Sequence, residues 1–126
     1  MEPRRVSVWR LRKLFNDSGY FQQAQAGQIT VRIARCTHPT RPEANQPDCT
    51  RTQTVVYLDG TDSEVARVHQ YLRPDGRLGG HGYPDPKYII VAGVRYAAKT
   101  PPNNLIERIL FYFLEWLGGI RYKLFG

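Results

Sequence analysis

The sequence predicts an α+β fold. Its centre is an antiparallel meander sheet of four to five strands, with a short N-terminal helix and a long amphipathic C-terminal helix packed on one face. Three observations carry this expectation. Apolar residues recur at period two through the middle of the chain, as in Ile29, Val31 and Ile33. They recur at helical spacing near both ends. Short turn sequences separate the period-two segments, so neighbouring strands run antiparallel.

The N-terminal helix is read over Ser7 to Phe15. Val8, Leu11, Leu14 and Phe15 share one face, and Arg5, Arg10, Arg12 and Lys13 lie on the other. Trp9 projects from the middle of that basic side. Gly19 is suited to a left-handed cap after Asn16-Asp17-Ser18. A strand over residues 4–9 competes with this helix, because Val6 and Val8 alternate.

The first strand of the meander runs from Ile29 to about Cys36 and is expected to be half-buried. The proline-rich stretch THPTRPEANQPD is a loop. TRTQTVVYLDG and SEVARVHQYLR are the next two strands, joined by the tight turn Asp59-Gly60-Thr61-Asp62. KYIIVAGVRYAAK is a further hairpin turning at Ala92-Gly93. Pro101-Pro102 stops the sheet. Asn104 then caps a helix, with Glu107 as the reciprocal partner of a capping box.

On that C-terminal helix Leu105, Ile106, Ile109, Leu110, Phe113, Leu114, Trp116 and Leu117 fill one half of the wheel, which calls for a sheet to cover. Phe111 and Tyr112 fall on the polar side. Gly118-Gly119 is expected to end the helix, leaving IRYKLFG as an edge strand or surface arm. The 126 residues thus form one domain: a basic helix and linker (1–27), a sheet (28–100), a helix (103–119) and a basic tail (120–126).

Net charge is +7, and the excess sits at the ends. Arg4, Arg5, Arg10, Arg12 and Lys13 near the N-terminus and Arg121 and Lys123 near the C-terminus face only Glu2, while the body between is nearly neutral. A basic excess attracts nucleic acid or an anionic membrane face. Trp9 and Tyr122 lie among these cations, as rings that stack on bases do. The expected function is therefore a small non-catalytic nucleic-acid-binding module, using the ends together with Arg73, Arg77 and Lys87. No recognised nucleic-acid motif accompanies the charge. The membrane alternative places Trp9, Phe111, Tyr112 and residues 120–126 at an anionic surface or a protein partner. No apolar run spans a bilayer and no secretory h-region is present, so a cytoplasmic protein without a cofactor is expected.

Two constellations carry other chemistry. Cys36, His38, Cys49 and His81 could ligate zinc, but their spacing fits no standard module, and free thiols are the expectation. His69, Tyr71 and Arg73, with Asp75 and His81, supply the acid, base and cation of a metal-independent ribonuclease, the chemistry of a small RNA-cutting toxin.

The stretch RPDGRLGGHGYPDPK reads first as a long turn. Its glycines could also expose N–H groups as an anion nest beside Arg73, Arg77 and Lys87. VARVHQYLRPDG followed by GGHGYPDPK resembles a signature of short bacterial and phage-associated proteins to which no activity is attached. The likeness covers roughly residues 50–98, with His81 where a small polar residue is more usual. It implies a bacterial or mobile-element source and transfers no catalytic residue.

Overall fold

The computed structural model describes residues 2–37, 41–80 and 82–125. In chain order the elements are β1 (Arg4–Val6), α1 (Val8–Ser18), α2 (Tyr20–Gln25), β2 (Thr30–Thr37), a 3-10 turn (Pro42–Ala44), β3 (Arg51–Leu58), β4 (Glu64–Leu72), β5 (Asp85–Val91), β6 (Val94–Ala98) and α3 (Leu105–Phe125). The class is α+β, but the sheet has six strands in the order β1-β6-β5-β4-β3-β2. β2 to β6 form an antiparallel meander. β1 corrects the expected strand count: it joins β6 in parallel, so the sheet is mixed. Both readings of the N-terminus therefore apply in turn, a three-residue strand and then a helix.

Local chemistry sets the boundaries. Ser7 caps α1 by accepting from the Arg10 N–H, and Gly19 ends it at φ 73°. Ala92 and Gly93 both take positive φ, as a two-residue hairpin matched to strand twist requires. Asp59 closes the β3–β4 turn by accepting from the Thr61 hydroxyl and from the N–H groups of Thr61 and Ser63, and these bonds hold its carboxyl below the usual range.

α1 and α2 cover the sheet face bearing Val55, Tyr57, Ala66, Val68 and Ile89. Leu11 and Phe15 are fully buried there, and Phe15 meets the Tyr57 ring edge-on at 5.8 Å. Each such side chain contributes about 1.5–3 kcal/mol. Burial pushes the Tyr57 hydroxyl up to about 12. β2 lies at the sheet margin, and Val31 and Ile33 stay exposed rather than half-buried, because the helices end over the neighbouring strands.

α3 departs most from expectation. It does not pack on the sheet. Its C-terminal half leans on α1, and its apolar half faces outward, with Ile106 78% and Leu110 55% exposed. α1 and α2 already occupy the covered sheet face. Gly118 and Gly119 do not end this helix; it runs on through residues 120–125 where an edge strand or arm was expected. A helical glycine costs only about 1 kcal/mol, and here it permits contact: a Cβ on Gly119 would stand 2.6 Å from the Trp9 ring. Asn104 caps α3 by accepting from the N–H groups of Ile106 and Glu107.

Candidate nucleic-acid interface

The sheet face opposite α1 and α2 is built from cross-strand rows. One row runs Arg5–Ala97–Tyr88–Arg67–Val56–Arg32 across all six strands. The next is Arg35–Thr54–His69–Asp85, and the third is Thr37–Thr52–Tyr71. Strict alternation would place Arg32 and Arg35 on opposite faces. A bulge between Ile33 and Arg35 brings both onto this one. A second bulge between Arg67 and Val68 brings Tyr88 and Asp85 onto it as well.

The central row is cross-linked by charge and ring. Arg67 Nε donates to Glu64 Oε1 at 2.9 Å. The Arg95 guanidinium stacks 4.1 Å from the Tyr88 ring centroid, and the Arg67 guanidinium lies 5.9 Å from the same centroid. Burial pushes the Glu64 carboxyl up, but hydrogen bonds from Tyr88 and Arg67 and the charges of Arg67 and Arg95 outweigh it, so Glu64 stays ionised. Burial, then the bond to Glu64, raises Tyr88 to about 12. This part of the face is fixed and largely self-neutralised.

The lower rows open into a groove of about 720 Å³ beneath the 3-10 turn, lined by Arg35, Arg41, Glu43, Thr52, Thr54, His69 and Tyr71. Arg32, Arg35 and Arg41 form no ion pair among the described residues. The His69 and Tyr71 rings meet edge-on at 4.9 Å. Burial and then the Lys87 charge lower the His69 pKa against the opposing pull of Asp85, so the ring is neutral at pH 7. A floor of neutral rings and hydroxyls beside free guanidinium groups can take bases on one side and phosphates on the other.

The structure distributes the sequence-derived candidates unequally. Trp9, Arg12, Tyr122 and Lys123, from opposite chain ends, converge on a separate cleft of about 440 Å³. There the cations and rings engage each other: Trp9 lies 5.7 Å from Tyr122, and Arg12 stacks on Trp9 at 4.7 Å while binding Asp85 at 3.3 Å. Lys87 also binds Asp85, Lys13 binds Asp17 and Arg77 binds Asp75. Arg4 stacks on Tyr96 at 5.7 Å, whereas Arg10, Arg121 and Lys123 are exposed. Phe111 and Tyr112 pack edge-on against each other, and Tyr112 is exposed.

Arg73 is drawn from His69 and Tyr71 to Gln46, whose side-chain oxygen accepts from its Nε at 3.1 Å. The glycine-rich stretch closes on itself. The N–H groups of Gly76, Gly79 and Gly82 bond to Arg73, Tyr71 and Gly79 carbonyls, and the Arg77 N–H bonds to Asp75. Those donors are spent within the loop and are not turned toward an anion. Cys36 and Cys49 are exposed and not joined in a disulfide, and the Cys36 sulfur accepts from Gln53 Nε2 at 3.9 Å. His38 and His81 lie outside the described residues, and no metal-binding group occurs among those described. No helix among the described residues is long and apolar enough to cross a membrane.

Arg35, Arg41, Glu43, Thr52 and Thr54 escaped sequence reasoning. The only signal was the period-two spacing of Thr52, Thr54 and, on the next strand, His69 and Tyr71; the bulge and the overhanging turn carry no such signature. No family model, curated protein or solved structure matches the chain.

Proposed function

We propose that this protein is a non-catalytic nucleic-acid-binding module that holds a single strand along the groove-bearing sheet face. The observation that carries the reading is that Arg35 and Arg41 line the groove with His69 and Tyr71, with Arg32 in the adjoining row of β2, and that none of the three arginines forms an ion pair among the described residues. The ends and the Gly/Arg loop contribute net charge and steering, since most of their cations already have partners. Phosphates would meet the arginines while bases stack on the rings.

A labelled single-stranded oligonucleotide titrated at several salt concentrations tests this. Binding should weaken steeply with salt. Replacing Arg32, Arg35 and Arg41 together by alanine should lower the log–log salt slope by about 2 and weaken binding at least tenfold, while Arg77→Ala changes little. Wild-type affinity in the triple variant refutes the assignment.

A second reading rests on the same groove. Neutral His69 can accept a proton, and Glu43 and Tyr71 line the groove with it, which is chemistry suited to cutting RNA. RNA shortened by the wild type and left whole by His69→Ala would replace binding with cleavage.

A further inference from the structure

Ile106, Leu110, Phe113, Leu117, Ile120 and Leu124 follow one another at spacings of four, three, four, three and four residues. That is a heptad seam, with apolar side chains at every seam position over the length of α3. All six are exposed, from 39% at Ile120 to 78% at Ile106. At 100° per residue the seam lies diametrically opposite the side of α3 that meets α1. That inner side is defined by three contacts: the Val8 N–H to Glu115 Oε2 at 3.2 Å, Trp9 against Gly119, and Asn16 Nδ2 donating to the Tyr122 hydroxyl at 2.9 Å. The C-terminal half of the helix is thus anchored while the seam points away from the body.

We propose that this seam pairs with the same seam of a second copy, antiparallel, to form a two-fold dimer. Charge selects both occupant and direction. The positions flanking one side of the seam are Glu107, Leu114 and Arg121. In an antiparallel pair these positions face each other in reverse order. Glu107 meets Arg121 of the second copy, Leu114 meets Leu114, and Arg121 meets Glu107, so both ion pairs form by symmetry. The seam closes in the same register, with Phe113 opposite Leu117, Leu110 opposite Ile120 and Ile106 opposite Leu124. In a parallel pair these positions would face the other flank of the partner seam, setting Arg121 beside Trp116 and Glu107 beside Pro102 ahead of the helix, so neither ion pair would form.

The antiparallel arrangement also lays the unsupported N-terminal half of each helix on the anchored C-terminal half of the other. It places the oppositely directed helix dipoles side by side. The seam with flanking Ile109, Leu114 and Trp116 offers on the order of 800 Å² per copy, the area a stable dimer buries on each side. The exposed residues form a self-complementary patch of the kind an isologous interface requires.

Sedimentation of the full chain at micromolar concentration should give twice the chain mass. Leu110→Glu with Leu117→Glu should give a monomer whose circular dichroism keeps the sheet, because neither side chain touches the core. Glu107→Arg alone and Arg121→Glu alone should each weaken the dimer about tenfold, and the two together should restore it. A wild-type monomer overturns the proposal. So does a dimer in which the double reversal fails to rescue, since the copies would then be paired in another way. A wild-type chain that stays monomeric and floats with anionic vesicles also overturns it, assigning the seam to a membrane surface instead. None of these outcomes depends on whether the sheet face binds nucleic acid.

Discussion

α1 and α3 are both amphipathic, and the more apolar of the two is the one left outside. The eleven residues of α1 bury Leu11 and Phe15 completely against the sheet. The twenty-one residues of α3 turn Ile106, Leu110 and Phe113 to solvent and offer the body Glu115, two glycines and Tyr122. Apolar content therefore does not rank helices for the core. α1 follows β1 through one residue and lies directly over β5 and β6, and with α1 and α2 in place the covered face has no room for α3. Burial follows access to unfilled sheet, and the helix without access keeps its apolar half for another surface.

The sharpest way to break this contrast is to empty one seat on each helix. Phe15→Ala should cost about 3–5 kcal/mol, because it removes a ring packed on Tyr57 and leaves a cavity. Leu110→Ala should leave the unfolding free energy of the monomer within about 0.5 kcal/mol. Urea titrations of both variants, at concentrations low enough to keep the chain monomeric, measure the difference. Comparable losses would mean that α3 is part of the core.

A smaller effect tests how the two helices touch. Gly119→Ala drives a methyl into the Trp9 ring and should cost about 1–3 kcal/mol. The emission of Trp9 should shift as it leaves Tyr122, read in a Trp116→Phe background. Unchanged stability and emission would show that the α1–α3 contact is loose.

The smallest effect concerns the open face. The unfolded chain protonates its histidine near pH 6.5, while the folded His69 resists protonation because burial and Lys87 disfavour the cation. The unfolded state therefore binds more protons below that pH, and stability falls as pH drops from about 6.5. His69→Gln should flatten this part of the stability–pH curve. A slope that survives the substitution would assign it to other groups.

Much of the fold was legible because it is written in local chemistry. The Ser7 and Gly19 boundaries of α1, the Asp59 turn, the Ala92-Gly93 hairpin and the Asn104 cap each depend on a few adjacent residues. The candidate site was legible only in part. His69 and Tyr71 stand two apart on one strand, so their shared face could be read directly. Arg35 could not be placed beside them, because its face depends on a bulge that shifts register by one residue. Arg41 and Glu43 reach the groove through a loop whose path no periodicity encodes. Arg12 and Lys87 looked free because Asp85, distant in sequence from Arg12, is brought to them by folding.

By itself the sequence determined the boundaries set by caps and tight turns, at Ser7, Gly19, Asp59, Ala92-Gly93 and Asn104, since these act over a few residues; it did not fix the end of α3 or the pairing of β1. Tertiary structure alone decided which apolar surfaces are covered and which cations are neutralised. Both depend on which helices the chain connectivity sets over the one covered face of the sheet, and on contacts between residues far apart in the chain.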